Sequence, residues 1–110
     1  MKNKLQNLKC TACSGSTPKL HNLEIEEHLK LLKNWEINKD KNMIFKKFLF
    51  KNFKNSLKFA NNVGEISEKE MHHPDISIGY NYCLVMIHTH FINALSINDF
   101  ILASKIDLMN

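Results

Sequence analysis

The spacing of apolar residues predicts a chain of alternating helices and strands. Between Leu23 and Asn34, apolar positions recur at helical spacing, with glutamates in the first turn and lysines near the end. That order of charges suits the helix dipole. Residues 35–38 and 43–50 are rich in aromatic and β-branched side chains and flank the polar run 39–42. We therefore predict two strands joined by a turn after the first helix.

A longer helix is predicted between Asn52, which can cap its N-terminus, and about Glu70. Pro74 prevents this helix from continuing. The apolar stripe predicted to face the core consists of Phe53, Leu57, Ala60 and Val63 or Gly64. Gly64 costs about 1 kcal/mol relative to alanine in a helix, which would be offset if it allowed close packing.

Two further strands are predicted to form a hairpin, with Asn81 and Tyr82 as its turn. In that register His73 would lie opposite His90, with His72 one residue away. The second strand alternates strictly, which predicts that Cys83 is a packed thiol on the core face. The predicted core face is Cys83, Val85, Ile87 and Thr89, and the opposite face is Leu84, Met86, His88 and His90.

The last helix begins at a sequence that resembles a capping box, Ser96 to Asp99, and runs to the C-terminus. The element order is therefore α-β-β-α-β-β-α. It predicts an α+β fold, a four-stranded antiparallel sheet with helices packed on one face. Residues 1–20 are predicted to be a loosely ordered N-terminal arm, and residues 21–110 a single domain.

Composition narrows the functional classes. The chain has 110 residues, a formal net charge of +4 and 15 lysines but no arginine. Arginine is the usual residue for bidentate recognition of bases and phosphates, so direct nucleic-acid binding is not expected. No apolar run is long enough to span a membrane, and residues 1–15 lack the apolar core of a secretory signal. Three cysteines cannot all pair, which favours a reducing cytoplasm.

Four of the six histidines fall within nineteen residues: His72, His73, His88 and His90. Imidazole titrates near neutral pH, so a cluster of this kind suits proton transfer. Three histidines could also hold zinc, although neighbouring residues in extended backbone point apart and no H-E-x-x-H pattern occurs. From the residues alone, proton chemistry, a metal site and incidental surface histidines all stay open.

The arm contains the pair Cys10-x-x-Cys13. Zinc needs four ligands, and only His21 and His28 are near in sequence, at unusual spacing. A thiol redox motif would follow a strand at a helix start, a context the arm does not offer. Nucleotide-binding glycine loops and the G-x-S-x-G nucleophile motif do not occur, so neither a nucleotide cofactor nor a covalent nucleophile is expected.

Several motifs together resemble the pterin-4a-carbinolamine dehydratases. The resemblance covers roughly residues 20–108, and the arm with its C-x-x-C resembles bacterial members. The motifs are E-K-E-M-H-H-P-D at 68–75, Y-N at 80–81, T-H at 89–90, L-S-I-N-D-F at 95–100, and upstream Trp35, I-F-K at 44–46 and F-K-N-F at 50–53. One departure is Met71, where animal members carry an acid.

The resemblance implies dehydration of 4a-hydroxytetrahydropterin to the quinonoid dihydropterin, without metal or organic cofactor. Enzymes of this family recycle the pterin of aromatic amino acid hydroxylases, and some members also bind a transcription regulator. His72 and His90 correspond to the acid/base pair and His73 to a binding and orienting residue. Substrate-binding roles are implied for Glu68, Pro74 and Asp99. A homodimer or homotetramer is also implied, and the outward-facing Leu84 and Met86 would suit such an interface.

Overall fold

The computed structural model describes residues 4–109 and confirms the predicted fold class. Three helices and a four-stranded antiparallel sheet follow in the order α-β-β-α-β-β-α. The elements are α1 (Asn22–Lys30), β1 (Glu36–Ile37), β2 (Ile44–Leu49), α2 (Phe53–Glu70), β3 (Asp75–Gly79), β4 (Tyr82–Ile87) and α3 (Ile97–Leu108), with short 3-10 helices at Lys4–Asn7 and His90–Ile92. No helix among residues 4–109 is long and apolar enough to cross a membrane.

The sheet has the strand order β1-β2-β4-β3, so β2 and β4 are its central strands. Its core face carries buried side chains from both of them, and its outer face is only partly covered. The buried residues are Ile44 and Phe48 on β2 and Cys83, Val85 and Ile87 on β4. The alternation predicted for β4 is confirmed, and Cys83 is fully buried as expected. Burial raises the pKa of the Cys83 thiol to about 11.

The first helix ends earlier than predicted, at Lys30 rather than Asn34. The N–H groups of Leu31 and Leu32 bond to carbonyls three residues back, which tightens the chain into a final turn. Asn34 then adopts a positive φ of 62°. Asparagine tolerates this left-handed conformation, so the chain reverses there and leads into Trp35.

Helix α2 begins and ends where predicted, but the stripe predicted to face the core is only partly confirmed: Val63 is buried and Ala60 packs against the core. Asn52 caps the helix by accepting a hydrogen bond from the Asn55 N–H at 2.9 Å. Phe53 and Leu57 are exposed. The buried face is Ser56, Phe59, Val63, Ser67 and Glu70. Two of these positions are serines, whose hydroxyls bond to the carbonyls one turn earlier and so can be buried without penalty.

The predicted hairpin register is also wrong, by one residue at the turn. The turn is Tyr80–Asn81, so Gly79 pairs with Tyr82 and Asp75 with Met86. The Asn81 carbonyl accepts a bond from the Phe50 N–H at 2.8 Å, which holds this residue in the turn beside β2. A Cβ at position 79 would lie 2.1 Å from the Tyr82 ring, so glycine permits the closing pair.

The described part of the N-terminal arm, residues 4–20, lies against the domain. Leu5 is fully buried in the core, although the sequence predicts loose order here. The N–H of Thr11 donates to Asn98 Oδ1 at 3.0 Å, and Asn98 Nδ2 donates to the Thr11 carbonyl at 2.8 Å. The Cys10 N–H donates to Glu70 at 2.9 Å. The arm is therefore fixed to both α2 and α3.

Candidate active site

The histidine pair His72-His73 is positioned by the way α2 ends. Met71, the residue after α2, has a φ of 54° in the left-handed region. A non-glycine residue there costs roughly 1–2 kcal/mol. The Met71 and His72 N–H groups bond back to the carbonyls of Glu68 and Ser67, which fixes the reversal. The reversal directs His72 into the protein and leaves His73 at the surface.

His72 is buried and is held by a carboxylate from α3. Its Nε2 lies 2.6 Å from Oδ1 of Asp99, which is fully buried. The other oxygen, Oδ2, accepts bonds from the Ser96 N–H and the Thr89 hydroxyl, both at 2.9 Å. An ionised carboxylate only accepts hydrogen bonds, so His72 carries its proton on Nε2 when neutral. The lone pair of the neutral ring is then on Nδ1.

The capping box predicted at Ser96 is confirmed. Asp99 accepts a hydrogen bond from the Ser96 N–H in this box and also bonds to His72. In a capping box the third helical residue accepts from the N-cap N–H. Here one carboxylate oxygen does this while the other bonds to His72. The start of α3 and the orientation of the imidazole therefore depend on the same side chain.

His73 and Glu68 form a second pair, at the protein surface. His73 Nε2 bonds to Glu68 Oε2, and both side chains are more than half exposed. Glu68 lies in the last turn of α2, so the helix positions the carboxylate beside the histidine. Pro74 follows His73 and is half-buried.

A pocket of about 120 Å³ lies where these segments meet. Its lining residues are Cys13, Met71, His72, His73, His90 and Phe91. His90 comes from the 3-10 helix His90–Ile92, which follows a bridge between Thr89 and Ala94. The predicted grouping of His72, His73 and His90 is thus present, although His90 lies beyond β4 and is not paired with His73.

His88 lies beside the pocket on the outer face of the sheet, and its ring centroid is 4.0 Å from that of His90. It is half-buried, and its Nδ1 is buried without a hydrogen-bond partner within the described part of the chain. Burial and the adjacent His90 lower the pKa of His88 below its ordinary value. Asp75, at the start of β3, lies next to this histidine pair.

The arm supplies one wall of the pocket through Cys13. Its Sγ lies 3.5 Å from His72 Nδ1, and Asn98 Nδ2 donates to the same sulfur at 3.3 Å. Burial and the negative charge of Glu70 raise the pKa of Cys10 to about 12, so Cys10 is a neutral thiol. A thiol in that state is a poor nucleophile and a poor metal ligand.

The sequence-predicted residues divide into three positions. His72, His73 and His90 line the pocket, and Glu68 lies next to it through His73. Asp99 and Pro74 are not among the lining residues. Asp99 lies on the far side of His72 from the pocket. Met71, the departure noted beside the histidine pair in the sequence, also lines the pocket, whereas sequence reasoning missed Cys13 and Phe91. Phe91 directly follows His90, so its position was the available signal. Cys13 reaches His72 across 59 residues of chain, a contact for which a single sequence carries no signal.

Comparison with known proteins shows which family contains this chain. The family model described as pterin 4 alpha carbinolamine dehydratase matches residues 18–109. The chain belongs to this family. The match includes every histidine of the pocket, while Cys13 lies before it.

Two relatives, each provisionally named a pterin-4-alpha-carbinolamine dehydratase, are similar over most of their length. One, from Halorhodospira halophila, is 41% identical over 105 residues, covering 96% of each chain. Another, from Methylococcus capsulatus, is 46% identical over 99 residues, covering 90% of this chain and 87% of the relative. The family and these relatives support a pterin carbinolamine dehydratase.

A solved structure also matches. It is described as a transcriptional coactivator/pterin dehydratase from Brucella melitensis and superimposes with a TM-score of 0.79 at 28% identity. The match covers 84% of this chain and 98% of that one.

Proposed function

We propose that this protein dehydrates 4a-hydroxytetrahydrobiopterin to the quinonoid dihydropterin by histidine acid/base catalysis, and so recycles the pterin cofactor of aromatic amino acid hydroxylases. One observation carries the proposal: three imidazoles line a single pocket, and a buried carboxylate holds one of them. Imidazole near neutral pH both donates and accepts protons, as this reaction requires.

The reaction needs one proton donated and one removed. The C4a–O bond breaks as the hydroxyl group takes a proton and leaves as water. N5 loses its proton, and the electron pair of that N–H bond forms the C4a=N5 double bond. A protonated and a neutral imidazole divide these two tasks, so the protein has the same number of protons at the end of the cycle.

His72 and His90 are proposed as the proton-transfer pair. Asp99 fixes the tautomer of His72, which leaves Nδ1 as the atom that exchanges a proton on the pocket side. The carboxylate also stabilises the imidazolium that forms when Nδ1 takes up a proton. Because Asp99 lies behind His72, we assign it a positioning role and not a direct contact with the substrate.

His73 is proposed to bind and orient the pterin. Its bond to Glu68 restrains the ring at the pocket rim, and Glu68 can also accept hydrogen bonds from the N–H groups of the pterin ring. Pro74 restricts the backbone after His73 and so supports the same rim. This reaction requires no metal or organic cofactor. A homodimer or homotetramer in the cytoplasm remains our prediction.

The test follows the dehydration of 4a-hydroxytetrahydropterin by ultraviolet absorbance, with purified protein in chelator. His72→Ala and His90→Ala should each lower kcat/KM by at least about 10²-fold, the usual scale of acid/base catalysis. His21→Ala is the matched control, because this exposed histidine lies at the start of α1 and is not among the residues that line the pocket. It should keep the wild-type rate.

A wild-type protein that folds but does not accelerate the reaction would overturn the proposal. The similarity to the Brucella protein described as a transcriptional coactivator/pterin dehydratase would then favour a non-enzymatic role. In that role the chain would stabilise or regulate a partner such as a transcription regulator. His72→Ala and His90→Ala that keep the full rate would instead refute the assigned residues.

A further inference from the structure

Three potential metal ligands lie together on the outer face of the sheet, next to the pocket. They are Asp75, His88 and His90, and one ligand atom from each lies within 4.8 Å of the others. Asp75 and His90 are exposed, and His88 is half-buried. Within residues 4–109, no other group of three histidine, cysteine or acidic residues meets this geometry.

The sheet register brings the three side chains to one face. Asp75 pairs with Met86 across the β3–β4 hairpin, and directly paired residues point to the same side of a sheet. His88 follows Met86 by two residues and shares its face. His90 lies one further step along, and its ring packs against His88 with 4.0 Å between centroids. The pairing of β3 with β4 thus places Asp75 on the same face as His88.

His88 adds a second observation that favours a ligand. Its Nδ1 is buried and has no hydrogen-bond partner within residues 4–109. Buried polar atoms in proteins are nearly always satisfied, so an exception of this kind needs an explanation. Among the described residues, no carboxylate is hydrogen-bonded to the imidazoles of His88 and His90, in contrast to those of His72 and His73.

We propose that Asp75, His88 and His90 form a binding site for a divalent transition metal of the zinc class, and that zinc bound there inhibits the enzyme. Two imidazoles and a carboxylate are a common zinc ligand set, with water in the fourth position. The site shares His90 with the catalytic pair. A metal-bound imidazole nitrogen has no lone pair for a proton, so zinc and proton transfer compete for His90. The inhibition, but not the binding, rests on the proposed function.

The geometry requires small adjustments only. Ligands about 2.1 Å from a tetrahedral zinc ion are roughly 3.4 Å apart. The ligand atoms here are separated by up to 4.8 Å. Asp75 and His90 are exposed, so their side chains can rotate toward His88 without displacing the core. Imidazole ligands also favour nickel and copper, whereas magnesium and calcium prefer oxygen.

The first experiment measures zinc binding directly, by competition with a chromophoric chelator, and does not depend on activity. We expect one zinc ion per chain for the wild type. Replacing a supporting residue around a metal commonly weakens binding about 10–100-fold, so loss of a direct ligand in His88→Gln or Asp75→Asn should weaken it at least tenfold. His21→Gln is the control histidine and should bind as the wild type does.

X-ray absorption at the zinc edge separates this site from the cysteines of the arm. We expect nitrogen and oxygen ligands only. Sulfur in the first coordination sphere would show that the metal binds at Cys10 or Cys13 and would overturn the assignment. Wild-type zinc affinity in both His88→Gln and Asp75→Asn would overturn it as well.

The second experiment measures the dehydration rate with zinc and with chelator. Zinc should inhibit the wild type, and chelator should restore the rate. His88→Gln should keep the basal rate but lose sensitivity to zinc over the same range. Zinc that binds without lowering the wild-type rate would refute competition for His90. If the wild type proves to have no dehydratase activity, zinc titration of His88→Gln, Asp75→Asn and His90→Gln still decides whether the site exists.

Discussion

The exchange Asp99→Asn tests the contact that orients His72. Asp99 accepts three hydrogen bonds, from Ser96, Thr89 and His72. An asparagine amide has one oxygen and one NH₂ group, so it can replace only one of the two carboxylate oxygens as an acceptor. The orientation of the amide decides what happens to the imidazole.

The magnitudes favour one orientation. If the NH₂ group faced Ser96, a buried N–H would lose its acceptor, at a cost of about 1–3 kcal/mol. If the NH₂ group faces His72, the imidazole accepts through Nε2 and moves its proton to Nδ1. That orientation replaces a charge-assisted hydrogen bond to His72 by a neutral one, at a cost of about 1–2 kcal/mol, and keeps Ser96, Thr89 and His72 each hydrogen-bonded. The neutral ring then has a proton, and not a lone pair, on its pocket side.

We therefore expect Asp99→Asn to fold and to lose activity through the tautomer. The same exchange in an Asp–His pair of a serine protease lowers kcat about 10⁴-fold, and general acid/base catalysis sets the lower bound at about 10²-fold. The assay is kcat/KM for dehydration, measured beside thermal unfolding. The pH profile of kcat should also change, which a purely structural role would not require.

The matched control is Asp107→Asn, the same exchange at the other end of α3. Asp107 accepts bonds from the Trp35 indole N–H at 3.0 Å and from Lys46 at 2.9 Å. This variant should lose about 1–3 kcal/mol of stability and keep its activity. A folded Asp99→Asn protein with wild-type kcat/KM, or an Asp107→Asn protein with the same kinetic defect, would refute the reasoning about His72.

Three further predictions concern stability. Gly64→Ala should stabilise the protein by about 0.5–1 kcal/mol in thermal or urea unfolding, because nothing lies within 4 Å of a Cβ there; a loss of stability would mean that the position is packed. Burial and the nearby Lys4 lower the pKa of His28, so the unfolded chain binds this proton more readily than the folded protein. Stability should therefore fall as the pH drops below about 6.5. His28→Gln should make stability less dependent on pH in this range, and an unchanged slope would contradict the prediction. Burial acts to raise the pKa of Glu70, but hydrogen bonds from the Cys10 N–H and Lys105 outweigh burial and lower this pKa. Glu70→Gln should therefore lower the free energy of unfolding by about 1–3 kcal/mol near neutral pH, and by less below about pH 4. Protease cleavage within the arm should also become faster, and unaltered cleavage would argue that Glu70 does not anchor the arm.

Local patterns in the sequence predicted the elements well because they depend on near neighbours. The Asn52 cap, the alternation along β4 and the capping box at Ser96 are all confirmed. Each rests on residues within a few positions of one another. The predicted hairpin register grouped His72, His73 and His90, and the family resemblance implied their roles. The pocket contains all three histidines, although the register itself is wrong.

The errors concern contacts that hydrophobic periodicity and turn propensity do not report. At the Tyr80–Asn81 turn, the Asn81 carbonyl bonds to the Phe50 N–H from a distant strand, and the Tyr82 ring lies over Gly79. The buried face of α2 includes Ser67, whose hydroxyl bonds to its own helix, so a hydrophobicity pattern passes over it. Each contact is simple to explain but depends on the folded neighbourhood.

The placement of Cys13 divides the pocket into a part inside the family match and a part outside it. The family match begins at residue 18, yet the sulfur that touches His72 belongs to the preceding arm. Substitutions in residues 9–17 can therefore reshape one wall while His72 and His90, the proposed proton-transfer pair, are kept. The arm, which is attached to the domain by a few hydrogen bonds and by the buried Leu5, can therefore be mutated to change which ligand fits the pocket.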